Sequence, residues 1–134
     1  MEYVFDVSCS DLSDLQSSLQ RENSSQFSGI SDIWANIHPF YVAVKNSDVI
    51  VGVCSLSYQE GANSAEIFKL YVVPEFRGRG VARALIKEVV KFLKRNNVDE
   101  IFVEVIDESQ DFWEKILVEL EHKHWFENKY SLVI

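Results

Sequence analysis

From Val81 to Arg95, Ala82, Leu85, Ile86, Val89, Val90 and Leu93 recur at spacings of three and one, while Arg83, Lys87, Lys91 and Lys94 take the other side. That is the period of an amphipathic helix. The residues before it, Ala65–Val73, and those after it, Glu100–Ile106, both read as strands. A strand–helix–strand unit of this length returns as a crossover, so its two strands lie parallel in one sheet. Whatever the remaining residues build must accommodate that unit.

They read mostly as antiparallel pieces. Tyr3–Val7 is a first strand, and Ser10 an N-cap for a helix over Asp11–Gln20 with Leu12, Leu15 and Leu19 on one side. The polar run Gln20–Ser28 reads as a loop. Ile30–Ile37 reads as a short second helix, ended at His38-Pro39 because the residue before proline avoids helical angles. Phe40–Val44 and Val49–Ser57 form a hairpin about Lys45-Asn46-Ser47-Asp48, and Glu60–Asn63 is the next turn. Asn96–Asp99 stops the long helix. After Glu100–Ile106, Asp107-Glu108-Ser109 opens a helix to about Leu120, and Lys123–Phe126 pairs with Lys129–Ile134. The order β, α, α, β, β, β, α, β, α, β, β is an α/β (α+β) class with a mixed, mostly antiparallel central sheet and flanking helices.

The 134 residues, 47% hydrophobic and 25% charged, suit one domain over 1–134 rather than a disordered tail or a coiled coil. No apolar run approaches a membrane span, and the N-terminus lacks the pattern of a signal peptide. Two cysteines, Cys9 and Cys54, make no disulfide framework and suit reduced thiols in the cytoplasm. The net charge of −8 disfavours nucleic acid as a partner but is unevenly placed. Residues 69–95 carry eight basic and two acidic side chains, and the segments on either side are each −7. Such a field favours an anion in the middle and cations elsewhere.

The anion's place is Val72-Val73-Pro74-Glu75-Phe76-Arg77-Gly78-Arg79-Gly80-Val81-Ala82. Two glycines allow a tight turn, and the helix that follows presents unpaired amides and the positive end of its dipole. A phosphate or pyrophosphate fits there, with Arg77 and Arg79 adding charge-assisted donors. A glycine-rich turn beside a solvated basic helix face is the plainer alternative. No Walker loop follows, and Arg83 fills the third glycine position of a dinucleotide fingerprint.

The run Leu70–Ala82 resembles motif A of the GNAT N-acetyltransferase superfamily, Arg/Gln-x-x-Gly-x-Gly/Ala, met by Arg77, Gly80 and Ala82. The element order matches that fold nearly end to end. The resemblance implies acetyl-CoA, or another acyl-CoA, as co-substrate, with pyrophosphate on the amides of Arg77, Gly78, Arg79, Gly80, Val81 and Ala82. It implies that main-chain groups of Tyr71, Val72 and Val73 pair with the pantetheine. It implies that the strands at 65–73 and 100–106 splay to admit the thioester, that the acyl group moves directly to an amine, and that an amide near Val72 serves the oxyanion.

Glu66 is the first candidate for a general base. By period two it shares a face with Phe68, Leu70 and Val72, which would desolvate its carboxylate. Some family members carry a Glu near this position, and an exposed Glu at a strand start is the alternative. Glu104 is a second candidate, and a water chain a third route. The tyrosine that acts as acid in many relatives is replaced by Trp113, in Asp111-Phe112-Trp113-Glu114-Lys115, and indole has no proton to give at neutral pH. His122 and His124 lack further ligands, so no metal is expected. Cys54 reads as a buried small residue, and Trp34, Phe27 and Phe40 as pocket or core aromatics.

Two functions are implied by the resemblance. One is an acetyl-CoA-dependent N-acetyltransferase acting on a cationic primary amine: a small amine, a polyamine, or a protein lysine or N-terminus. The other is a CoA-binding sensor or partner-binding protein with little or no catalysis. Both are expected in a cytoplasmic monomer or homodimer without membrane or nucleic-acid partners.

Overall fold

The computed structural model describes residues 1–25, 32–35, 37–105 and 110–132. β1, Glu2–Phe5, ends at Asp6, whose φ of 60° breaks the extended path. The helix expected after Ser10 begins differently. Cys9–Leu12 is a 3-10 turn, so Ser10 lies inside a turn rather than capping a helix. Its carbonyl accepts from the Ser13 hydroxyl at 3.0 Å. α1 then runs over Ser13–Ser25, through much of the polar stretch read as a loop. Leu15 and Leu19 hold it to the sheet, so its polar last turns need no apolar residues of their own.

The second helix expected over Ile30–Ile37 is absent from the described part of that span. Residues 32–35 are irregular, and Ile30, Ser31 and Asn36 lie outside the described residues. Side chains satisfy the amides there. Asp32 Oδ1 accepts from Trp34 N at 3.1 Å, Gln16 Oε1 from Ile33 N at 3.0 Å, and the Tyr41 hydroxyl from Ala35 N at 3.3 Å. An Asp bonding the amide two residues on competes directly with helix.

β2, Pro39–Asn46, and β3, Val49–Ser57, form the expected hairpin, followed by β4, Ser64–Val72. After a 3-10 turn at Pro74–Phe76, α2 spans Val81–Arg95 as its period predicts and buries Val81, Leu85, Ile86, Val89 and Leu93. β5 is Glu100–Glu104, α3 is Gln110–Glu119, β6 is His122–Phe126 and β7 is Lys129–Leu132. The start expected for α3, Asp107–Ser109, lies outside the described residues.

The described strands form one sheet in the order β1-β2-β3-β4-β5-β7-β6. β4 and β5 are parallel, as the crossover requires, and the other neighbours are antiparallel. The larger core packs α2 and α3 on one face, with Leu56, Ile67, Leu85, Ile86, Ile101, Trp113 and Ile116 inside it. A second core, Leu12, Leu15, Leu19, Ile33, Ala43, Val53 and Tyr71, lies under α1 on the other face.

Two irregularities shape the edge of β4. Ser55 pairs with Lys69 but Leu56 with Ile67, so Phe68 is an extra residue, a β-bulge in β4. The buried Ser55 hydroxyl accepts from the Lys69 amide at 3.1 Å and closes the irregular ladder. The β4–β5 register runs only from Ser64↔Glu100 to Ile67↔Val103, ending at that bulge. β5 instead continues with the last hairpin, the Val105 amide donating to the Asn128 carbonyl at 2.8 Å. Beyond Ile67 the edge of β4 is therefore released from β5.

Candidate active site

The loop between β4 and α2 turns on its two glycines, as its residues predict. Gly78 and Gly80 have φ of 76° and 78°, and a Cβ at either would meet nothing within 4 Å. The glycines are needed for the left-handed conformation, and the space above them is open. The first helical amide to find a carbonyl is Ala84, donating to Gly80 O at 3.0 Å. Among the described residues no backbone carbonyl accepts from the amides of Gly78 through Arg83. Free amides at the positive end of a 15-residue helix suit a pyrophosphate.

Arg77 departs from expectation. Its amide donates to the Pro74 carbonyl at 3.2 Å, so the available run begins at Gly78. Its side chain is also taken. Nε donates to Val72 O at 2.9 Å, and the two terminal nitrogens grip Glu22 at 2.6 and 2.8 Å. Glu22 also accepts from the Tyr71 hydroxyl at 3.0 Å, and Tyr71 lies 3.2 Å from the Ser18 hydroxyl. The hydrogen bonds of Arg77 to Glu22 raise the guanidinium above its ordinary value. Burial, with Glu22 adding to it, raises the Tyr71 phenol. Arg77 thus ties the loop to α1. Arg79 lies over the Phe76 ring at 5.1 Å, and Arg83 pairs with Glu119 of α3 at 3.1 Å.

Of Tyr71, Val72 and Val73, expected to pair with a ligand, two face β3. The Val73 amide donates to Val51 O at 3.0 Å, so it belongs to the β3 side. Alternation along the strand turns Tyr71 the same way, opposite Val53, and turns the Val72 amide to the released edge. Val72 is left as the one of the three that faces the gap, its carbonyl held by Arg77.

Glu66 is also placed differently. Ala65 and Ile67 enter the α2 core, so Glu66 faces the opposite side, and the bulge at Phe68 reverses the phase that would have set it beside Leu70 and Val72. Leu70 and Val72 belong to the α2 face. Glu66 is half-buried beside Ser57 and Phe102, one pair before Ile67↔Val103, where the β4–β5 pairing ends. Glu104 is exposed and 4.0 Å from Lys129.

The remaining candidates are structural. Trp113 is 4% exposed within the larger core. Burial pushes the Cys54 thiol well above its ordinary value of 9.0, which leaves it inert. Phe40 joins Tyr58 and Phe92, Trp34 meets Tyr41 edge-on, and Phe27 lies outside the described residues. His122 and His124 flank Tyr130 and bond nearby carbonyls, and no metal-holding cluster occurs among the described residues. No helix among them is long and apolar enough to cross a membrane. Sequence reasoning missed Glu22, Ser18 and the Asp32–Lys69 ion pair. Leu15, Leu19 and Glu22 are spaced by four and three, which was the available signal.

A bulged strand leaving its parallel neighbour, with a glycine turn leading into a basic helix, is the arrangement of the acyl-CoA N-acyltransferase fold. The chain belongs to the acetyltransferase (GNAT) family, whose model matches residues 8–117. It is 29% identical over 100 residues to an uncharacterized N-acetyltransferase of Chlorobaculum tepidum, covering 75% of this chain and 62% of that one. It therefore spans less than two thirds of that relative's length. The fold is similar to that of Tetrahymena GCN5, with a TM-score of 0.70 at 11% identity over 100% of this chain and 97% of the other. It is also similar to the PaiA N-acetyltransferase of Thermoplasma acidophilum, solved in complex with coenzyme A. There the TM-score is 0.65 at 16% identity, over 98% of each chain.

Proposed function

We propose that this chain is an acetyl-CoA-dependent N-acetyltransferase whose acceptor is a primary amine. The observation that carries the reading is the meeting of the open glycine loop with the released edge of β4, with Glu66 beside that edge. The amides of Gly78 through Ala82 would hold the pyrophosphate, and the bound co-substrate would supply the acyl group as a thioester. The Val72 amide, aimed into the gap, is a donor for charge that develops on a carbonyl oxygen there. Glu66 is the base that would take the proton of the attacking amine, directly or through one water. The two free cysteines suit a reducing cytoplasm.

Trp113 supports a second reading, a CoA-binding sensor with little catalysis. It sits in the core at the family's tyrosine position, and its indole has no proton to give a leaving thiolate. Thiol release from acetyl-CoA over a panel of amines separates the two readings. The enzyme reading expects turnover that Glu66→Gln lowers about a hundredfold in kcat, with KM for acetyl-CoA little changed. Tight CoA binding with no turnover on any amine would select the sensor. CoA affinity unmoved by Gly80→Glu would remove both.

A further inference from the structure

α1 covers only one side of its sheet face. Among the described residues, none of β5, β6 or β7 enters the core beneath it. On the uncovered side stands Phe102, turned away from the α2 core because its neighbours Ile101 and Val103 point into that core. Its ring lies 4.9 Å from Trp125 at a 44° tilt, and Trp125, at a bulge in β6, is 60% exposed. Phe102 is also the register partner of Glu66, on the same face. A carboxylate and a two-ring shelf therefore lie side by side where β4 and β5 begin to part.

Resting on the acetyltransferase reading above, we infer that this shelf binds the acceptor, and that the acceptor is a primary amine carried on an aromatic or other flat apolar body. The body lies on Phe102 and Trp125, and the ammonium meets Glu66. Charge and shape both favour this class. The other nearby charges are already matched, Glu104 with Lys129 and Lys69 with Asp32, and no described cation pairs with Glu66. One carboxylate suits a single ammonium rather than the several of a polyamine. A flat body gains from two exposed rings what a bare methylene chain does not. Adjacent strands are about 5 Å apart, which matches a nitrogen two or three bonds from a ring.

The test is thiol-release kinetics with 2-phenylethylamine, spermidine and a lysine peptide on the parent chain, Trp125→Ala and Phe102→Leu, beside calorimetric titration with acetyl-CoA. Phenylethylamine is expected to have the highest kcat/KM, by about tenfold. Trp125→Ala should raise its KM about tenfold with kcat, acetyl-CoA affinity and the spermidine KM little changed. Phe102→Leu, which keeps an apolar group in place, should act in the same direction and less strongly. The inference is overturned, with the acetyltransferase reading intact, if spermidine or the lysine peptide is turned over but phenylethylamine is not. It is equally overturned if spermidine or the peptide matches phenylethylamine, or if Trp125→Ala leaves its KM in place. Absence of acetyl-CoA binding removes both.

Discussion

Gly80 carries two duties at one atom. Its φ of 78° is a conformation that L side chains rarely adopt, and the place of its missing Cβ is open. Gly80→Ala should therefore cost conformational strain without a clash, about 1 kcal/mol. In thermal melts that is a fall of about 4 °C with a cooperative transition retained. Calorimetric CoA affinity should fall as well, since the new methyl enters the space over the amides. A melt unchanged by the substitution would show that the glycine's angle is not required. At this scale the loop was readable in advance, because glycine, arginine and helix start are adjacent in the chain. The face of Glu66 was not readable, because one extra residue at Phe68 reverses the alternation and only pairing with β3 reveals it.

α1 and the anion loop are coupled as elements through Glu22. A fork of two hydrogen bonds from Arg77, with Tyr71 on the same carboxylate, fixes the loop's entry relative to the helix. Lysine keeps the charge but cannot fork. A double-mutant cycle of Glu22→Gln and Arg77→Lys, read by urea unfolding, should give a coupling of about 1 kcal/mol; Arg77's partial exposure keeps it near surface values. Additive effects would show the pair to be incidental. α2 was legible to the residue, since its fifteen positions sustain one period. α1 was legible only to its last leucine. Its continuation to Ser25 is stabilised by Glu22's contacts with distant residues, which no local window contains.

Across the whole molecule the buried thiol of Cys54 makes a pH prediction. Its value is raised in the folded chain and ordinary, 9.0, when unfolded, so only the unfolded chain loses that proton as pH rises past 9. The stability present below pH 9 is then lost at about 1.4 kcal/mol per pH unit. Tyr3, Tyr41 and Tyr71, all raised chiefly by burial, add loss of the same sign above pH 10. Urea midpoints at pH 8 and 10 should show the fall, and Cys54→Val should flatten most of the part between 9 and 10. An equal slope in the variant would assign the loss elsewhere. The excess positive charge of residues 69–95 likewise looks different in three dimensions. Glu22 and Glu119 meet Arg77 and Arg83, so the proposed anion site would rest on backbone amides more than on these two arginine side chains. The sequence by itself determined the parallel crossover, the length of α2, the glycine turn and the family, because each depends on neighbours within a few residues. Only the tertiary structure decided which amides are free, which face Glu66 takes and where β4 leaves β5. Those depend on register between strands far apart in the chain, and a single bulge changes them all.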